Sequence, residues 1–163
     1  MKFAKSLEID SPREQLFDLT QDYDRRLQWD PFLSKARLLD GESTPQIGTK
    51  ALCVDHHGFA MEVVYVAYKR PEVAAVKMTR GPFFLASFAG TWRFTETGGG
   101  RTSVLFEYFY RLRWPFAIIR PFVDATFARE ITERLEALDN FVTKLGGLSA
   151  PTHDVSGATF GSL

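Results

Sequence analysis

Between Gly81 and Leu112 the chain places a ring or a large apolar side chain at spacings that are multiples of two. Phe84, Phe88, Trp92 and Phe94 occupy the first half of this stretch, and Phe106, Tyr108, Tyr110 and Leu112 the second. Side chains of a strand point to alternate faces, so each half reads as a strand with its rings on one side. The glycines Gly98-Gly99-Gly100 between them read as a hairpin turn. One face of this hairpin is a wall of rings, and such a wall requires cover from a helix or a bound apolar molecule.

The same punctuation runs back to Lys35. Strand-like runs at 35–39, 49–55, 59–69, 72–79, 83–95 and 102–112 alternate with turn signals, among them Asp40-Gly41, His56-His57-Gly58 and Arg70-Pro71. Ahead of them, Phe3 to Ile9 forms a first strand. Ser11-Pro12-Arg13-Glu14 then predicts a helix start, with Ser11 as cap, Pro12 in the first turn and Glu14 completing a capping box. A second short helix over Tyr23 to Gln28 stops at Trp29-Asp30-Pro31-Phe32, because the residue before a proline is pushed out of the helical region.

The longest periodic segment comes last. From Phe122 to Leu145, Phe127, Ile131, Leu135, Leu138, Val142 and Leu145 recur at helical spacing, and Gly146-Gly147 ends the helix. Glu130 and Arg134 read as an acid-before-base pair on its solvated face. The chain thus divides into a domain over 1–147 and a flexible tail over 148–163, rich in Ser, Thr, Gly and Ala. The layout is α+β: one strand, two short helices, six antiparallel strands and a long final helix that the curved sheet can wrap.

Composition narrows the function. With 20 basic and 20 acidic residues and no like-charged block, the chain lacks the basic footprint of a nucleic-acid binder. Fifteen phenylalanines against three methionines build the interior from rigid rings. A single cysteine, Cys53, excludes an intrachain disulfide and reads as a small strand hydrophobe. No signal-peptide core opens the chain, and no run approaches the about eighteen apolar residues of a membrane span, so a soluble cytoplasmic protein is expected.

The polar residues make no catalytic or metal-binding pattern. His56 and His57 are adjacent in an apparent turn and point apart, His153 lies in the tail, and Cys53 has no spaced partner; neither a metal nor a cofactor is expected. The glycine triplet leads into a strand rather than a helix, so it makes no phosphate loop. No nucleophile elbow occurs. By parity Glu107, Arg93 and Arg111 face outward, Glu62 stays open because its strand is apolar on both faces, and Asp30 closes a turn.

Several segments carry a family resemblance: Ile9-Asp10-Ser11-Pro12-Arg13-Glu14-Gln15-Leu16-Phe17, Trp29-Asp30-Pro31-Phe32, Ile47-Gly48-Thr49, Gly90-Thr91-Trp92-Arg93-Phe94 and Gly100-Arg101-Thr102. Over residues 2–145 the chain resembles the START-like superfamily of helix-grip proteins. That superfamily includes polyketide cyclase/dehydrase-like domains, coenzyme Q-binding proteins and lipid-transfer domains. The stretch from Gly81 to Thr95 is similar to the coenzyme Q-binding branch, and Trp29 to Phe32 to the polyketide cyclase-like one.

The resemblance implies a helix-grip fold, a curved seven-stranded antiparallel sheet around the long C-terminal helix, with an apolar cavity between them. Met78, Phe84, Phe88, Trp92, Phe94, Phe106, Tyr108 and Tyr110 would wall it on the sheet side, and Phe127, Ile131, Leu135 and Leu138 on the helix side. The competing expectation is that these residues pack together as a solid core. Two inward phenols, Tyr108 and Tyr110, would suit the polar end of a ligand.

Three functions remain open. One is a carrier or sensor for a small hydrophobic molecule, such as a lipid, isoprenoid, polyketide or aromatic. The second is a cyclase, aromatase or dehydratase using the same cavity. The third, a protein-interaction domain, draws no support from the balanced charge.

Overall fold

The computed structural model describes residues 1–146. Its elements run β1 (Lys2–Ile9), α1 (Arg13–Gln21), α2 (Arg26–Trp29), β2 (Leu33–Leu38), β3 (Lys50–Asp55), β4 (Ala60–Lys69), β5 (Val73–Arg80), β6 (Leu85–Gly98), β7 (Arg101–Leu112), a 3-10 turn (Phe116–Ile119) and α3 (Arg120–Lys144). The strands form one antiparallel seven-stranded sheet in the order β1-β7-β6-β5-β4-β3-β2. Every connection but one is therefore between neighbours. The exception runs from β1 at one edge to β2 at the other and is carried by α1 and α2. α3 packs against β1 and β7 and touches α2.

The expected fold is the observed one, with boundaries moved by up to three residues, as at the start of α2 and the end of β6. β6 and β7 pair with Trp92 opposite Phe106, Gly90 opposite Tyr108 and Phe88 opposite Tyr110, so the ring-bearing positions share a face. Gly98, Gly99 and Gly100 turn the hairpin at φ of 98°, 63° and 79°, a left-handed path that side chains strain. α2 ends at Trp29, and Asp30 takes an extended conformation (ψ 109°) ahead of Pro31.

Two local expectations fail. The capping box does not form: α1 begins at Arg13 behind Pro12, with no side-chain cap, and the Ser11 hydroxyl points instead to Gln15 Oε1 at 3.4 Å. The Ser11 carbonyl is held from afar by the Thr102 hydroxyl at 2.8 Å, which fixes the chain's exit from β1. Phe84 lies just before β6 rather than in it, because the Leu85 N–H donates back to the Pro82 carbonyl and makes a turn there.

The main core joins Ile9, Leu16, Phe17, Phe94, Val104, Ile131, Leu135, Leu138 and Val142, while Leu85, Tyr110 and Val123 form a second buried cluster. Among the described residues no helix is long and apolar enough to cross a membrane. The expected tail, 148–163, falls outside the described residues.

Candidate functional site

The sheet and α3 do not close on each other completely. A cavity of about 200 Å³ lies between them. On the sheet side Tyr65 from β4, Phe88 and Trp92 from β6, and Phe106 and Tyr108 from β7 line it. The helix contributes Phe127, Glu130 and Arg134, three residues at three- and four-residue spacing on one strip of α3. The Trp92 and Phe106 rings stack at 3.9 Å, and Tyr108 meets Phe127 edge-on at 5.5 Å.

Of the twelve expected wall residues, the structure brings Phe84, Phe88, Trp92, Phe106, Tyr108 and Phe127 together on the cavity. Phe94, Ile131, Leu135 and Leu138 are buried in the main core, on the parts of sheet and helix turned toward α1 and β1. Met78 and Tyr110 belong with the second cluster, and the Tyr110 hydroxyl is engaged by Asp124 of α3. Glu62 points away from the cavity and accepts from the Thr79 hydroxyl at 2.7 Å. Glu107, on the outer face as expected, pairs with Lys2 at 2.6 Å and lies 3.7 Å from Arg93. His56 and His57 are exposed in the β3–β4 turn.

The polar lining was not anticipated. Glu130 and Arg134 do not form a solvated pair. Arg134 is buried, 5% exposed, and donates from Nε to Asp30 Oδ2 at 2.9 Å. Arg26 donates from Nε to the same oxygen, also at 2.9 Å, and from Nη1 to the Thr20 carbonyl. Asp30 does close a turn, since its Oδ1 accepts the Phe32 N–H at 3.1 Å, but its carboxylate chiefly ties α2 to α3.

Burial alone would raise the Asp30 carboxyl; the Arg134 and Arg26 guanidiniums outweigh it and hold the group below the usual carboxylate range. Burial and the nearby Arg26 charge pull the Arg134 guanidinium down in spite of Asp30. Glu130 makes no ion pair among the described residues: the neighbouring arginines of α3, Arg129 and Arg134, pair with Glu133 and Asp30. Burial, then the charges of Asp30 and Asp55, push its carboxyl up to about 7.

Beside the arginines lies a second polar group. The Tyr65 hydroxyl donates to Gln21 Oε1 at 2.8 Å and stands 3.4 Å from the Tyr23 hydroxyl. Burial raises both phenols, Tyr23 to about 12, so neither ionises near neutrality. Cys53 lines the cavity from β3, and burial raises its thiol above the ordinary range, which fits the expected inert strand residue.

Where the β3–β4 and β5–β6 loops meet, Phe59, Pro82 and Phe84 line the cavity, and the Phe59 ring is partly exposed 5.7 Å from Phe84. Phe83 beside them is exposed, as are Trp114 and Ile118 in the segment leading into α3 and Phe122 in its first turn. Phe83 and Phe116 meet at 5.3 Å and join this apolar surface to the loop that borders the cavity.

An antiparallel sheet gripping a long C-terminal helix is the helix-grip fold. The chain belongs to the polyketide cyclase/dehydrase and lipid transport family, whose model matches residues 1–145. Among solved structures, the Zhui aromatase/cyclase from Streptomyces sp. R1128 superposes with a TM-score of 0.78 at 13% identity, over 93% of this chain and 98% of that one. A START superfamily protein from Mycobacterium smegmatis gives 0.75 at 13% identity, over 88% and 98%. Norcoclaurine synthase from Thalictrum flavum gives 0.68 at 13% identity, over 90% and 96%. These likenesses are of fold. No curated protein matches the sequence significantly.

Proposed function

We propose that this protein binds a small hydrophobic molecule in the cavity between the sheet and α3, as a cytoplasmic carrier or sensor. The observation that carries the reading is the cavity itself: about 200 Å³ lined mainly by aromatic and aliphatic side chains, with a few polar groups gathered on part of its wall. A solid core of the same rings would leave no such space. Phe88, Trp92, Phe106, Tyr108 and Phe127 are the proposed apolar contacts. Membership of a family described by cyclase, dehydrase and lipid transport members accords with this use of the cavity.

One observation favours a second reading, a cyclase- or dehydratase-type enzyme. Glu130 lines the cavity with a carboxyl titrating at about 7, suited to take or give a proton at neutral pH. Arg134 beside it can steady an oxyanion.

Native mass spectrometry of freshly purified protein, followed by extraction and identification of whatever co-purifies, tests the first reading. A stoichiometric apolar molecule released unchanged supports a carrier. Turnover of a polyketide-like substrate that is abolished by Glu130→Gln supports the enzyme.

A further inference from the structure

The apolar walls leave the charge of the site unexplained. Arg26 and Arg134 donate to one and the same oxygen of Asp30, so two guanidiniums share a single carboxylate and one positive charge is left over. Arg26 has a further acceptor in the Thr20 carbonyl at 2.9 Å. Arg134 has none: among the described residues it donates through Nε alone. Its terminal nitrogens are left to the cavity that the residue lines. The rings of Phe32, Phe106 and Tyr108 surround its Cζ at 5.1, 5.6 and 5.8 Å. Their faces attract a cation but accept no in-plane fork of N–H groups.

Glu130 does not make up the deficit. It makes no hydrogen bond with the described residues, and burial, then Asp30, Asp55 and Glu133, disfavour its charged form against Arg129, so that below about pH 7 it is largely neutral. A buried cation without its counter-charge is costly, and a bound anion would remove that cost.

We infer that the ligand of this cavity is a planar organic monoanion whose carboxylate takes the free edge of the Arg134 guanidinium, while its rings lie among Trp92, Phe106 and Phe127. The inference rests on the cavity being a ligand site and adds the class of ligand. A guanidinium edge and a carboxylate pair through two parallel hydrogen bonds, which fixes the acid's plane as well as its position. Size agrees, since an apolar void of about 150 Å³ takes one benzene ring, so that 200 Å³ takes one ring with its carboxylate, and a second ring would extend toward the open end beside Phe59. A neutral quinone or hydrocarbon would fill the walls and leave Arg134 unmet.

The test is isothermal titration calorimetry of the full chain at pH 6, where the Glu130 carboxyl, raised to about 7, is mostly protonated and an ordinary carboxylic acid is ionised, with 2-naphthoate and its neutral isostere 2-naphthamide. The expected result is naphthoate binding at least ten-fold more tightly. Arg134→Met, which removes the guanidinium, should abolish that preference. Should that variant fail to fold, Arg134→Lys keeps the charge without the planar fork and should lower the preference. The wild-type comparison needs neither variant.

Equal affinities in the wild type overturn the inference and leave the cavity reading standing. So does uptake of neutral N-phenyl-1-naphthylamine without binding of naphthoate. A ten-fold preference that survives in a folded Arg134 variant overturns the assignment to Arg134. If none of the three probes binds, the ligand-site reading fails and the inference falls with it.

Discussion

Asp30→Asn separates the two jobs of one side chain. Asparagine keeps the oxygen that accepts the Phe32 N–H at 3.1 Å, and it suits that kind of turn as well as aspartate does. What it loses is the charge that Arg26 and Arg134 share at 2.9 Å each. If Asp30 served only the turn, the substitution would cost a few tenths of a kcal/mol, as for most conservative changes. Hydrogen bonds to charged groups contribute about 1.5–3 kcal/mol each, and removing one partner of a buried ion pair costs about 3–5 kcal/mol. The Asp30 side chain is 0% exposed, so solvent does not screen the loss. The expected destabilisation is therefore about 3–5 kcal/mol.

Urea unfolding at pH 7 measures it. With a slope of about 2 kcal/mol per molar, the midpoint should fall by about 2 M. The carboxyl is depressed in the folded state, so its contribution is complete above the ordinary carboxylate range and disappears as pH falls through the lowered value. Wild type and variant should accordingly converge in acid. A loss under about 1 kcal/mol at pH 7, with an unchanged slope, would refute the electrostatic reading and return Asp30 to a turn residue.

Phe106→Ala tests the cavity from the wall side: a ring in a solid core costs about 3–5 kcal/mol on truncation, and bordering an existing space should bring it below that range while changing the affinity for an apolar probe. Tyr108→Phe keeps the ring and removes a hydroxyl that finds no partner among the described residues; stability should barely move, and ligand affinity should change by about 1 kcal/mol if the phenol touches the ligand. Glu130→Gln should change stability with pH, because the carboxyl is raised to about 7 by burial: the wild type loses stability as pH climbs from the unfolded value through 7, and the variant should not. Above pH 7 the variant should be the more stable by an amount on the order of 3 kcal/mol, read from urea midpoints across pH; parallel profiles would refute the burial of that carboxyl.

The fold was legible because its signals are local. Period-two spacing puts Trp92, Phe106 and Tyr108 on one face whatever the rest of the chain does, and helical spacing buries Ile131, Leu135 and Leu138. The polar wall was not legible because its partners are distant. Asp30 and Arg134 are separated by 104 positions, and an acid and a base four apart on a helix suggest each other before either suggests Asp30. A signal was nonetheless present. Arg134 stands three residues after Ile131, one before Leu135 and four before Leu138, which places it inside the apolar stripe. Ser11 misled for the opposite reason: its motif fits a capping box, but the tertiary bond from Thr102 to its carbonyl sets the local path.

Whether a wall of rings becomes core or cavity depends on what stands opposite the rings. Here large and small residues face each other across the strands: Trp92 is opposite Ala74, Tyr108 opposite Gly90, and Met61 opposite Cys53. A Cβ at Gly90 would meet the Phe88 and Tyr108 rings at 3.8 Å, an ordinary contact, so packing does not demand a glycine there. Its missing side chain leaves volume on the inner face. The helix does not fill that volume either, because its cavity strip follows Phe127 with Glu130 and Arg134 rather than with leucines. Apolar residues at these two positions would extend the stripe of Ile131, Leu135 and Leu138 toward the rings and approach a solid core. The charged residues that hide the site from a reading of hydrophobic pattern are thus the same residues that help keep it open.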